Sequence, residues 1–271
     1  MTTHNLLDRR AFLADLGHGA FALAIVGIAG CSSSVVASLA PTGVTGPPST
    51  PSPGSGAPGT PAPTGGAASL PPGSPTSGRT WERVNLGFVS AYLLIRNGEA
   101  ALVDTGEAGS EAAIESSLTS IGLGWSAVGH VIITHSHGDH SGGRIAVLER
   151  AAGATGYAGA EDIPAMGGVD LTAVGDGDRV FDLDIVTTPG HTAGSVSVLD
   201  SASGVLVAGD ALRTAEGRPT PPGAQFTADM AEALRSIVKL GGLTFETLLV
   251  GHGEPIESGA AALVAELAAA G

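Results

Sequence analysis

The chain has 271 residues, with 26 Asp and Glu against 12 Lys and Arg and a formal net charge of -14. That balance, with no basic run of five or more residues, excludes nucleic acid as an expected partner, because affinity for a phosphate backbone comes from clustered Lys and Arg. One cysteine, Cys31, excludes an intramolecular disulfide and a thiolate metal cluster.

The first segment reads Asp8-Arg9-Arg10-Ala11-Phe12-Leu13, then a weakly apolar stretch from Ala20 to Ala29 that runs into Gly30-Cys31. Charged, apolar and small-residue regions in that order are the parts of a secretory signal. The apolar run is about ten residues, too short for a bilayer core that needs ~20. Arg-Arg-x-Phe-Leu resembles the twin-arginine export signal, and Ile28-Ala29-Gly30-Cys31 resembles the lipobox of bacterial lipoproteins. The resemblance implies a signal peptide over 1–31, export to the cell envelope, and anchoring to the membrane through a lipidated Cys31. Residues 32–78 are rich in Pro, Gly and Ser and nearly free of large apolar side chains. Such a segment cannot bury enough surface to offset chain entropy and is expected to be a disordered linker, with a reach on the order of 40 Å.

Residues 79–271 have the size of one substantial domain. Apolar runs bounded by turn residues predict strands at 84–89, 91–96, 99–104, 130–134, 183–188, 195–200, 204–209 and 247–250. Ile114, Leu118 and Ile121 recur at helical spacing. So do Met230, Leu234, Ile237 and Val238, with Thr227 as the expected N-cap. Leu263, Val264 and Leu267 predict a last helix starting near Ser258. Early consecutive strands followed by mixed elements point to sheets with helices packed outside them.

Of eight histidines, His4 and His18 fall in the signal, and His130 reads as a structural residue at a strand start. The segment Thr134-His135-Ser136-His137-Gly138-Asp139-His140 crowds four candidate ligands behind an apolar strand. Imidazole and carboxylate suit zinc and similar divalent ions, and four such groups at one strand end have no packing rationale. Three further apolar runs each end on a candidate ligand: Val186 to Gly190 on His191, Val205 to Gly209 on Asp210, and Leu248 to Gly251 on His252. Ligands at strand ends can converge on one face of a sandwich.

These motifs, in this order and together with Leu102-Val103-Asp104-Thr105-Gly106, resemble the ordered motif set of the metallo-β-lactamase superfamily, from about residue 84 to 257. The resemblance implies an α+β fold, the αββα four-layer metallo-β-lactamase sandwich. It implies two divalent metal ions, with zinc the expected one. His135, His137 and His191 would hold the first, Asp139, His140 and His252 the second, and Asp210 would bridge them. Asp104 would orient a ligand or serve as a strand-end turn carboxylate; both readings stand open here. The implied reaction is opening of an activated acyl bond (lactone, thioester or similar) of a small molecule by a metal-bridging hydroxide, with Asp139 as proton carrier. The alternatives are a mononuclear iron enzyme oxidising thiols or persulfides, and a β-lactamase.

Departures from subfamilies narrow the choice. No Cys stands at the Asp210 position, which counts against a cysteine-ligand β-lactamase. Hydroxyacylglutathione hydrolases share the Asp210-type bridge but add a basic helical extension, and few residues follow His252. Tyr92 and Tyr157 are candidates for orienting a substrate carbonyl, with a structural role favoured for each. The segment from Arg213 to Gln225 is a lid or an ordinary surface loop, and no protein partner is evident.

Overall fold

The computed structural model describes residues 80–167 and 171–271. The signal, the lipobox and the linker expected before residue 79 lie outside the described residues.

A first sheet takes six strands in the order β1 to β6: Trp81–Asn85, Ser90–Arg96, Glu99–Val103, Val128–Ile133, Thr155–Gly159 and Leu171–Val174. The first three are antiparallel neighbours, and from β3 onward the pairing is parallel. The second sheet has the order β13-β10-β9-β8-β7, built from Arg179–Val180 (β7), Leu183–Thr187 (β8), Val196–Asp200 (β9), Val205–Val207 (β10) and Thr247–Leu249 (β13). Arg213–Ala215 (β11) and Arg218–Thr220 (β12) form a separate hairpin. The helices are Glu111–Ser120 (α1), Gly138–Ser141 (α2), Arg144–Arg150 (α3), Met230–Gly241 (α4) and Ala260–Ala270 (α5).

The side-chain alternation of the strands produces the four layers, because successive residues point to opposite faces. In β2, Ala91 and Leu93 face a core shared with Ile114 and Leu118 of α1 and Val147 of α3. Tyr92 and Leu94 face the other way, into a core between the sheets with Leu183, Ile185, Val205, Val207 and Leu249. Leu206 and Leu248 point from the second sheet toward Ile237 and Leu240 of α4 and Val264 of α5. The order is therefore helix, sheet, sheet, helix, the αββα arrangement expected from the sequence.

Several expectations need correcting. The first strand runs over 81–85 rather than 84–89, because Leu86 to Val89 form a turn with Gly87 at φ +93°. The cap of α4 is Asp229, whose carboxylate accepts from the Glu232 N–H, and Thr227 lies before it in extended backbone. Val238, expected on the buried stripe, is exposed. The segment from Arg213 to Gln225, expected as a lid or a surface loop, carries the β11–β12 hairpin and runs into a short 3-10 turn.

Candidate metal centre

The directions of the strands bring the ligands together. Within the first sheet β3 and β4 are parallel, and in the second β8, β10 and β13 run the same way. Asp104 follows β3, His135 to His140 follow β4, His191 follows β8, Asp210 follows β10 and His252 follows β13. All seven sequence-predicted ligand residues meet at these strand ends. Three groups have ligand atoms within 4.8 Å of one another: His135, His137 and His191; His135, His140 and Asp210; and Asp139, His140 and His252. His191 Nε2 and His252 Nε2 lie 3.5 and 3.3 Å from Asp210 Oδ2, so that carboxylate stands between the two halves.

Hydrogen bonds on the outer side of the rings fix which nitrogen faces inward. His140 Nδ1 lies 2.7 Å from Asp104 Oδ2 and donates to it. Thr134 Oγ1 also donates to Asp104 Oδ2, at 2.9 Å, which leaves its oxygen to accept from His135 Nδ1 at 3.1 Å. Thr227 Oγ1 donates to the Gly223 carbonyl and accepts from His191 Nδ1. His252 Nδ1 donates to the Phe88 carbonyl at 2.8 Å. Each of these four rings therefore turns its Nε2 toward the centre, the orientation a metal ligand requires.

The fit to a cation follows from what those nitrogens face. His135 Nε2 and His191 Nε2 lie 3.1 and 2.9 Å from His137 Nδ1, three ring nitrogens sharing at most one proton among them. Asp210 Oδ1 is buried with no hydrogen-bond partner in the protein. A buried carboxylate oxygen left that way is costly, and a metal ion would satisfy it together with the imidazoles. The donor set of five imidazoles and two carboxylates suits zinc-like ions. Gly251 makes the room: a Cβ there would sit 2.4 Å from both Asp210 Oδ1 and His140 Cε1.

Protonation differs across the centre. Burial, and then the neighbouring imidazoles, hold His135 well below the usual histidine range. Burial likewise pulls His191 down to about 4, although Asp210 opposes it. His252 is pushed up to about 10 by its contacts with Asp139 and Asp210, and Asp139 drops to about 2 against it. His140 is raised despite burial, because Asp104, Asp210 and Asp139 surround it. A proton on His252 would hold together two carboxylates that a metal ion would hold instead, so metal uptake there would be coupled to proton release.

The structure resolves the open reading of Asp104. It is buried, adopts φ +64°, and accepts from the Thr134 N–H as well as from Thr134 Oγ1 and His140. It thus orients the His140 ring and shapes the strand end at once. The tyrosines do not reach the centre in a substrate-orienting role. Tyr92 OH is buried and donates to the Val250 carbonyl, with its pKa pushed up to about 12 by burial. Tyr157 OH lies 3.3 Å from His130 Nδ1, within β4 and β5, where His130 also packs against Phe181.

Asp162 is a functional residue that the sequence does not single out. It is buried and accepts from the Ser136 N–H at 2.7 Å, from Thr192 Oγ1 at 2.6 Å and from the Gly194 N–H at 2.8 Å. One carboxylate therefore fastens the His135–His137 loop to the loop that carries His191. The only signal in the sequence is an acid beside the Pro-containing turn Ile163–Met166, which by itself names no partner.

Beside these residues lies a cleft of about 1190 Å³, lined by His137, Asp139, His191, Asp210 and His252 together with Phe88, Glu107, Arg213 and Phe226. Thr214, Gly223 and Gln225 also line it, so the hairpin region forms one of its walls.

Residues 84–252 match the metallo-beta-lactamase superfamily. The chain belongs to that superfamily. Its sheets and helices resemble those of the superfamily protein TTHA1429 from Thermus thermophilus, with a TM-score of 0.57 and 24% identity over 70% of this chain and 79% of that one. In sequence it is 29% identical to the uncharacterized protein YobT of Bacillus subtilis (strain 168), over 63% of this chain and 85% of YobT. It is 37% identical to the hydroxyacylglutathione hydrolase of Cupriavidus metallidurans (strain ATCC 43123 / DSM 2839 / NBRC 102507 / CH34), over 55% of this chain. The chain spans 56% of the length of that hydrolase.

Proposed function

We propose that the chain is a dimetal hydrolase of activated acyl bonds in small molecules, thioesters or lactones, with zinc as the expected metal. The observation that carries this reading is the convergence of seven ligand residues, four of whose rings are already oriented by their outer hydrogen bonds. His135, His137 and His191 would hold one ion, Asp139, His140 and His252 the other, and Asp210 would be shared. Bound there, two divalent ions supply Lewis acidity toward an acyl oxygen and lower the pKa of water. The similarity to hydroxyacylglutathione hydrolases supports thioesters as the first candidate substrates.

The protein's own groups do the rest. Asp139 is partly exposed and lines the cleft, with Oδ2 3.2 Å from His252 Nε2, a position from which a proton can pass between the reacting centre and solvent. Asp104, Thr134, Thr227 and the Phe88 carbonyl keep the rings from rotating. Phe88 stacks on His252 with ring centroids 6.0 Å apart and shields that side of the centre.

Elemental analysis of the purified chain, beside hydrolysis of a panel of thioester, lactone and β-lactam substrates, tests the reading. About two zinc-like ions per chain with turnover of a thioester or lactone is the expected result. One iron per chain with no hydrolysis would move the assignment to thiol or persulfide oxidation.

We further propose that the protein works in the cell envelope, exported and held on the membrane by lipidated Cys31, with no nucleic-acid partner. The order of twin arginines, apolar run and lipobox supports this, as does the acidic charge. Cys31→Ser should release the protein from membranes; continued sedimentation with them would sink the anchor.

A further inference from the structure

Arg213 opens β11 and lines the cleft. Every other Lys and Arg side chain among the described residues is engaged. Arg83, Arg96, Arg150, Arg179, Arg218, Arg235 and Lys239 form ion pairs with carboxylates, and Arg144 donates to backbone carbonyls. Among the described Lys and Arg side chains, only that of Arg213, which is exposed, has neither an ion pair nor a hydrogen bond, although Glu107, Asp139 and Asp210 line the same cleft. In a chain of net charge -14, a guanidinium left unpaired in the cleft is a fixed cationic feature with an open hydrogen-bonding fork.

Two exposed aromatic rings line the same cleft. Phe88 and Phe226 are 60% and 63% exposed, and both line the cleft. Phe88 is seated on the His252 ring at an interplanar angle of 15°. Arg213 and Phe226 converge over Gly223: a Cβ built on that glycine would lie 3.3 Å from Arg213 Nη1 and 3.5 Å from Phe226 Cδ2. Exposed phenyl rings gain from covering an apolar group, and a guanidinium pairs with a carboxylate through two parallel hydrogen bonds.

We propose that Arg213, Phe226 and Phe88 form a substrate-selecting site for an amphiphilic acid, with a compact apolar or aryl group held at the rings and a carboxylate held on Arg213. This deepens the hydrolase reading and rests on it for the position of the scissile bond, but the binding preference itself does not require turnover.

The test uses the full chain in two forms. Calorimetry on the metal-free protein compares 3-phenylpropionate with 3-phenylpropionamide, which differ only in the charged group. The acid should bind about tenfold more tightly than the amide. The preference should fall to about one in Arg213→Met and survive in part in Arg213→Lys. Phe226→Ala should weaken acid and amide alike. Equal binding of the two, binding of neither, or a preference that survives in Arg213→Met would overturn the proposal.

The metal-loaded protein is then given the phenylacetyl thioesters of 3-mercaptopropionate and 3-mercaptopropionamide. The same preference should appear in the ratio of kcat/KM and collapse in Arg213→Met. No turnover of any ester, with the acid preference intact in binding, would sink the hydrolase reading and leave the acid site standing. Turnover of both esters without an acid preference would do the reverse.

Discussion

The two halves of the centre are built on different principles. His135, His137 and His191 form an all-imidazole group, with two of its members buried and held neutral. Asp139, His140 and His252 mix carboxylate with imidazole, two of them reach the cleft, and both of these histidines are biased toward the protonated form. The first group presents lone pairs before any ion arrives. The second favours protons that an ion would have to displace. Burial dominates one half and ion pairing the other, although the two share Asp210.

The most severe break of this comparison is loss of a neutral ligand. His191→Ala should lower affinity for the first ion and kcat/KM by more than about 100-fold, beyond the roughly 10–100-fold typical of supporting residues. Equilibrium dialysis against zinc would read it, and full occupancy of both sites would break the assignment. Asp139→Asn comes next: turnover should fall about 10²–10⁴-fold while substantial metal is retained. Unchanged activity would remove Asp139 as proton carrier.

Asp162→Ala should weaken the imidazole group by about 10–100-fold in metal affinity with little change in the second site. It leaves the N–H groups of Ser136 and Gly194 without their acceptor, at about 1–3 kcal/mol each. Spectra of the cobalt-substituted protein separate the two sites, and equal loss at both would deny Asp162 its selective role.

The pH dependence sharpens the comparison without mutation. His252 has a raised pKa, so in the metal-free protein its ion pairs stabilise the fold fully below the ordinary histidine value near about 6.5. That contribution is lost as pH rises toward about 10. Metal loading should show the opposite trend in the second site, with affinity rising over the same window as the proton leaves. Calorimetric titration in buffers of different ionisation enthalpy counts the protons, and zero release near neutral pH would contradict the scheme. The smallest effect is expected for Tyr92→Phe, with about 0.5–1.5 kcal/mol lost in stability and turnover within about twofold.

Much of this arrangement is legible in the residues because metal ligands declare themselves by type and crowding. His135 to His140 sit within one short segment, and each remaining ligand ends an apolar run. The layers are legible for a similar reason, since β2, β4 and β10 carry apolar side chains for both faces. What the residues hide is instructive. β5 reads Thr155-Gly156-Tyr157-Ala158-Gly159, whose glycines carry no strand signal even though the strand pairs on both sides. β7 has two residues, and no periodicity can be read from two. Asp162 acts on Ser136, Thr192 and Gly194, from 26 to 32 positions away, so its role exists only in the folded chain. Hydroxyls favour the cap position, which is why the sequence points to Thr227, yet Asp229 holds that place and Thr227 instead accepts from His191.

The contacts around His252 also bear on the order in which the molecule comes together. His252 Nδ1 bonds the Phe88 carbonyl across 164 positions, the Ser90 N–H bonds the Gly251 carbonyl, and Tyr92 OH reaches the Val250 carbonyl across 158. Segments this far apart meet only after long loops have closed, an entropic cost that makes such contacts slow to form. The half of the centre that needs His252 is completed when the opening strands and the β13 end are joined, and under the dimetal reading an ion held there would enter a chain that has already found its topology.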